Sequence, residues 1–282
     1  MKRLVALFLM ALGCMPVLRA DTTLRVLTYN IHHAEGTDEV LNLERIARVI
    51  QSEHPDVVCL QEVDQGCTRT NQIDMPAGLA KLLNMEVRFG ANLEFQGGKY
   101  GNATLSRFPV VSSENISFPF SGTGEKRGCL RVTLSIDGQE VDIYNTHFDL
   151  IATSRRVQAE SIVGRLRDVP SVVAGDLNES AGDPALRILL SRLLDSFLWQ
   201  TGKREGTLQG KDSKDRIDFI LVSKSVNVLS SRVVDTPEAC IASDHLPYVA
   251  ELTLEPAKET AADKGVRDNE DERVERALVP EE

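Results

Sequence analysis

Short apolar runs in this chain repeatedly meet a polar cluster at one end, and that recurrence constrains the fold more than any other feature. Leu24-Arg25-Val26-Leu27-Thr28-Tyr29-Asn30 alternates with period two and stops on Asn30. Asp56 to Val63 is almost continuously apolar and closes on Gln61-Glu62. Val141 to Asn145 runs into Thr146-His147, and Ser171 to Ala174 into Gly175-Asp176-Leu177-Asn178. Asp215-Arg216-Ile217-Asp218 opens the run Phe219 to Val222, and Ser243-Asp244-His245 precedes the alternating stretch Leu246 to Leu254. Alternation and short apolar runs of this kind are strand signals. A carboxylate ending so apolar a strand needs a partner, because an unpaired buried charge is very costly. For Glu62 that partner is a ligand site or, in the plain structural alternative, an arginine. His245 is the side chain best suited to proton exchange near neutral pH, with a carboxylate beside it in sequence.

Helical spacing interrupts these strands. Val40, Leu43, Ala47 and Ile50 form one apolar face, and Ala77 to Leu83, Ser154 to Leu166 and Pro184 to Leu194 are also expected to be helical. Arg155, Arg156, Arg165 and Arg167 read as the solvated face of their helix. Leu130 to Ile136, the Asp137-Gly138 turn and Val141 to Asn145 give a hairpin signal. Gly97 to Asn102 reads as a glycine-rich turn feeding a short strand, Ala103 to Ser106. It is either an ordinary hairpin turn or a loop that brings Tyr100 and Asn102 to a ligand. Val226 to Val234 adds a further strand.

A chain of 282 residues with 42% hydrophobic content accommodates one sizeable α/β catalytic domain with appendages. Residues 1–20 have the order of a secretory signal peptide: Met1-Lys2-Arg3, the apolar run Leu4 to Met15, then Leu18-Arg19-Ala20. The alternative is a lipoprotein signal ending at Cys14, against which Ala11 stands where leucine is usual. Residues 21–255 form the expected domain, and 256–282 have the charged, aromatic-free composition of a solvated acidic tail. No internal apolar stretch approaches the roughly 20 residues of a membrane span. The mature chain keeps Cys59, Cys67, Cys129 and Cys240. Cys59 reads as a buried strand residue, and the expected disulfide is Cys67 with Cys129. A net charge of −10 argues against holding nucleic acid chiefly through its phosphates, although a metal ion and a local basic cluster outweigh a distant acidic surface.

Taken in order, Thr28-Tyr29-Asn30, Leu60-Gln61-Glu62-Val63, Tyr100-Gly101-Asn102 with Leu105-Ser106-Arg107, Asn145-Thr146-His147, Gly175-Asp176-Leu177-Asn178, Arg216-Ile217-Asp218 and Ser243-Asp244-His245 closely resemble the endonuclease/exonuclease/phosphatase superfamily of metal-dependent phosphoesterases. The resemblance spans residues 24–254. It implies an α/β (α+β) fold of DNase I type, a four-layer α/β/β/α sandwich with two mostly antiparallel sheets. It further implies that Asn30, Glu62 and Asp244 ligate Mg²⁺, with Mn²⁺ as the other candidate. Asp176 and Asn178 would position the attacking water and phosphate, and His147 would donate to a phosphate oxygen. Asp218 would orient His147 or its neighbours, and Asp244 with His245 would form an acid-base pair. The general base is Asp176 or His245, with water held by Asp176 favoured. Tyr100, Asn102 and Arg107 would contact substrate. Arg69 and Arg127 are further substrate-side cations or else ion pairs with Asp64 and Glu125.

The implied protein is a periplasmic or secreted phosphoesterase, most simply a phosphodiesterase acting on a lipid head group, a nucleic acid or a small diester. An inositol- or sugar-phosphate monoesterase is the alternative, and an inactive binding module is disfavoured by the complete polar set. Nothing in the sequence calls for an obligate protein partner. N-terminal sequencing of the exported protein is expected to begin Asp21-Thr22-Thr23; a retained Met1 or a lipid-modified Cys14 would overturn that processing.

Overall fold

The computed structural model describes residues 21–255 except 121, 123, 199–203 and 210–214, so the expected signal peptide and acidic tail lie outside the described residues. The first half of the chain forms β1 (Thr22–Asn30), α1 (Leu43–Ser52), β2 (Val57–Gln65), α2 (Met75–Leu83), β3 (Glu86–Phe95) and β4 (Gly98–Ser106). The second forms β5 (Val110–Ser117), β6 (Gly128–Ile136), β7 (Gln139–His147), α3 (Ala152–Val163), β8 (Ser171–Asp176), α4 (Pro184–Leu190), β9 (Leu194–Asp195), β10 (Asp218–Val222), β11 (Val226–Val233), α5 (Ala239–Ala242) and β12 (Tyr248–Leu254). Two six-stranded sheets result, in the orders β11-β12-β1-β2-β4-β3 and β5-β6-β7-β8-β10-β9. Each has one parallel pair at its centre, β1 with β2 and β7 with β8, and the other pairings are antiparallel. The carboxyl ends of the central strands therefore carry Asn30 beside Gln61 and His147 beside Asp176, with Asp218 facing Asp176 from β10.

Side-chain alternation sorts the layers. Val172 and Ala174 of β8 and Ile220 and Val222 of β10 enter the core shared with the first sheet. Their neighbours Val173, Phe219 and Leu221 face the other way, onto Ala159 and Ile162 of α3 and Ala185, Leu186 and Leu189 of α4. On the far side, Ile46, Val49 and Ile50 of α1 and Leu79 of α2 complete the first core. Asn42 caps α1 by accepting from the Arg45 N–H, and Asp74 caps α2 by accepting from Ala77, so each helix starts at a side-chain acceptor. The order is helices, sheet, sheet, helices, as the resemblance implied.

A polar tie crosses the apolar layer between the sheets. Asn145 of β7 is fully buried and donates to the carbonyls of Leu60 (3.1 Å) and Ala103 (2.8 Å), while its Oδ1 accepts from Gln61 Nε2 at 2.8 Å. Gln61 is also fully buried and contacts Thr28 of β1 at 3.2 Å. One residue later the register of β2 against β4 shifts, and Glu62 takes a positive φ of 58°. That bulge turns Glu62 out of the core while Gln61 stays within it.

Three expectations change. Tyr100 and Asn102 lie inside β4, paired with β3, and the turn falls at Gln96-Gly97, where both residues have positive φ. The strands β3 and β5 had no clear sequence signal because both are largely half-buried or exposed. Cys67 and Cys129 are not bonded: all four cysteines from Cys59 onward are free, and the Cys67 thiol contacts the Lys99 carbonyl instead. Asn145→Ala is expected to lower stability by about 2–4 kcal/mol in urea unfolding, because buried acceptors and the Gln61 amide lose their partner.

Candidate active site

Asp176 is the point on which the polar strand ends converge. Its backbone is delivered by Gly175, where φ is 150° and an added Cβ would lie 1.8 Å from the Thr146 carbonyl oxygen, so only glycine fits between β7 and β8. Asp176 Oδ1 accepts from the Asn178 N–H at 2.9 Å, and Oδ2 accepts from Asn30 Nδ2 at 3.0 Å. His147 Nε2 stands 3.4 Å from the same Oδ2 and His245 Nε2 stands 3.7 Å away. Burial, followed by the Asp218 carboxylate, pushes the Asp176 carboxyl well above the usual carboxylate range.

The two histidines have opposite protonation. His245 Nδ1 pairs with Asp218 Oδ2 at 2.9 Å, both side chains being buried. Burial opposes the charge on His245, yet Asp218, Asp176 and Asp244 outweigh it and raise its pKa to about 10. His147 is held the other way. Burial first, then Arg127, keeps its pKa well below the ordinary value. Arg127 donates from Nη1 to His147 Nδ1 at 2.7 Å, which leaves the ring proton on Nε2, facing Asp176. Arg127 also pairs with Glu125 at 3.0 Å, so it is an ion pair and a support for His147 at once. Of the two partners open to Asp218, His147 or a neighbour of it, the structure gives the neighbour His245, because β10 and the segment before β12 bring those two together.

Asn30 Nδ2 also donates to Glu62 Oε1 at 3.1 Å, and the Ser243 hydroxyl donates to the Asn30 carbonyl at 2.8 Å, which brings Asp244 alongside. Asp218 Oδ1 is buried with no hydrogen-bond partner among the described residues. Asn30 Nδ2 bridges the Glu62 and Asp176 carboxylates, and Asp176, Asp218 and His245 each place one ligand atom within 4.8 Å of the others; with a buried Asp218 oxygen lacking a donor, this carboxylate-rich set fits a divalent cation. Asn178 has a positive φ of 47° and donates from its side-chain Nδ2 to the Phe148 carbonyl at 3.0 Å, which fixes the loop after β8. Next to Glu62, the His33 ring has its pKa pushed down to about 4 by burial and by Arg69.

Tyr100 is buried, and desolvation followed by Glu62 holds its phenol well above the ordinary value, so it remains a neutral donor. Asn102 is buried and donates to the carbonyls of Gly128 (3.2 Å) and Asn145 (3.4 Å), a role in joining the sheets. Arg69 makes a bidentate pair with buried Asp64 at 2.7 and 2.8 Å and lies over the Phe95 and Tyr100 rings. Arg107 does not belong to the site. It follows β4, whose end pairs with the start of β2, Ser106 opposite Val57, and its N–H donates to the Asp56 carbonyl. Glu62 lies five residue steps along the strand from Val57, or about 16 Å.

Comparison with known proteins agrees with this fold. The model of the endonuclease/exonuclease/phosphatase family matches residues 27–245. The uncharacterized Escherichia coli K12 protein YbhP is 25% identical over 256 residues, 85% of this chain and 100% of the relative. An endonuclease/exonuclease/phosphatase from Beutenbergia cavernae is 27% identical, with a TM-score of 0.68, covering 83% of this chain and 72% of that one. One from Bacteroides vulgatus, at 22% identity, shares the fold with a TM-score of 0.70 over 83% of this chain and 100% of that one.

In metal-free protein, the His245 ring is expected to stay protonated through neutral pH in NMR titration and to lose its proton near pH 10. Asp218→Asn should bring that midpoint down, and an unchanged midpoint would overturn the pairing. Since the folded value is raised from 6.5, the pair's contribution to stability is complete below about pH 6.5 and is lost as pH rises toward 10.

Proposed function

Because the chain belongs to the endonuclease/exonuclease/phosphatase family, we propose that it is an exported, divalent-metal-dependent phosphoesterase that hydrolyses a phosphodiester by in-line attack of water. The observation that carries this reading is the Asp176 carboxylate set between a neutral and a charged histidine, with Glu62 and Asn30 alongside. Asp176, with its raised pKa, accepts a proton from the attacking water more readily than an ordinary carboxylate would. His245, charged and fixed by Asp218, donates from Nε2 to the phosphoryl oxygens where negative charge builds. His147 adds a second Nε2–H donor, oriented through Nδ1 by Arg127. A divalent cation held by Glu62 and Asn30, with Asp244 beside them, supplies neutralisation of phosphate charge when bound; Mg²⁺ and Mn²⁺ suit the oxygen ligands.

Charge supports a diester over a monoester. Glu62, Asp176, Asp218 and Asp244 put four carboxyl groups in or beside the site, whereas the cations there, among the described residues, are each already paired with a carboxylate: His245 with Asp218, Arg127 with Glu125 and Arg69 with Asp64. A diester brings one negative charge, whereas a monoester near neutral pH brings almost two. The singly charged substrate is the smaller electrostatic burden here. The overall charge of −10 likewise favours a lipid head group or small diester over an extended nucleic acid.

With a chromogenic diester, turnover in Mg²⁺ or Mn²⁺ is expected to vanish in EDTA. Asp176→Asn and His245→Ala are each expected to lower kcat/KM by about 100-fold or more. Faster release from the matching monoester would replace the diesterase with a phosphomonoesterase, and undiminished turnover by Asp176→Asn would remove the assigned base.

A further inference from the structure

Next to the oxygen-rich centre lies a second group of ligating atoms of different chemistry. His32 and His33 follow Asn30 in a short turn, and one ligand atom from each of His32, His33 and Glu62 lies within 4.8 Å of the others. The chain holds them in costly backbone conformations: φ is 44° at His32, 42° at His33 and 61° at Ala34, and Glu62 stands at 58°. Non-glycine residues seldom occupy this left-handed region, and consecutive ones less still. Strain of this kind persists where the surrounding structure requires a particular side-chain placement.

The hydrogen bonds show what the turn prepares. His32 Nδ1 stands 3.1 Å from the Glu35 carbonyl oxygen, an acceptor only, so the proton sits on Nδ1 and the lone pair on Nε2. That is the arrangement by which a carbonyl orients a ligating histidine. The His33 side chain is nine-tenths buried; its Nε2 lies 3.6 Å from a Glu35 carboxylate oxygen, and its Nδ1 is buried with no hydrogen-bond partner. A Glu35 carbonyl and carboxylate thus attend both rings. Glu62 spends Oε1 on Asn30, and among the described residues no hydrogen bond uses Oε2.

We propose that His32, His33 and Glu62 form a second cation site, selective for a borderline first-row divalent ion such as Zn²⁺, that shares Glu62 with the oxygen-ligated centre. Two imidazoles and a carboxylate favour such an ion over Mg²⁺, which prefers an all-oxygen shell. The site is separate from the Asp176, Asp218 and His245 cluster. It goes beyond the phosphoesterase reading, and its test reads metal binding without turnover, so either can fail alone.

The full mature chain, stripped with EDTA and returned to saturating Mg²⁺, would be titrated with Co²⁺ under visible spectroscopy and with Zn²⁺ by calorimetry. An equivalent of Co²⁺ with imidazole-type absorption, displaced by Zn²⁺, is the expected result. His33→Ala should abolish that equivalent. His32→Gln, at a half-buried position where folding is less at stake, should weaken it by about tenfold or more. His147→Ala should leave it in place. Undiminished Co²⁺ affinity in His32→Gln, or loss of the signal only in His147→Ala, would overturn the assignment.

Discussion

The Asn145 carboxamide fixes the distance and register between two sheets that otherwise meet through apolar side chains. Apolar packing is non-directional and sets no register by itself. Three buried contacts from one side chain to β2 and β4 do, because each alternative register would strand a carbonyl or the Gln61 amide without a partner. The tie lies two residues before His147 on β7 and touches Gln61, one residue before Glu62. Whatever positions Asn145 therefore positions a histidine of one sheet and a carboxylate of the other. The central parallel pairs complete the arrangement by placing both sets of carboxyl ends at one edge, as open α/β sheets do for their ligands.

From that edge geometry the electrostatics follow. Asp176 and Asp218 face each other across β8 and β10, so two buried carboxylates share a small volume. Such a pair is tolerable only if one partner gains a cation and the other tends toward its neutral form. Asp218 takes the first course through the His245 imidazolium, and Asp176 the second. The difference between the histidines is likewise a matter of neighbours: His245 is ringed by carboxylates, whereas His147 receives Arg127. Two identical side chains thus acquire a charged role and a neutral role within reach of one carboxylate.

Much of this was legible in the sequence, for physical reasons that also explain what was not. The strands β1, β2, β7, β8, β10 and β12 are buried on one or both faces, and burial imposes the apolar pattern by which they were read. The strands β3 and β5 lie at the outer edges of their sheets, where no such pattern is imposed. Asn30, Glu62, His147, Asp176, Asp218 and His245 were expected together and are together. Which acid serves which histidine was not legible, because that depends on strand order rather than strand ends. Arg107 failed for a related reason: it stands beside a matched motif in sequence, but β4 runs antiparallel to β2 and carries it to the opposite end.

The bulge at Glu62 shows how one local departure serves several demands. In a regular strand, Gln61 and Glu62 would point to opposite faces, and Glu62 would enter a layer between strand and helix rather than the edge. The positive φ at Glu62 and the shifted register leave Gln61 in the inter-sheet network and bring the carboxylate to Asn30. The left-handed turn at His32 and His33 is stacked on the same edge, with the Ile31 N–H accepted by the Gln61 carbonyl at 3.2 Å. Strain at Glu62 and strain at the histidines are therefore joined through one backbone bond. At the open edge of the sandwich both Glu62 and the turn from His32 to Ala34 leave regular geometry, and there side-chain direction matters more than local stability.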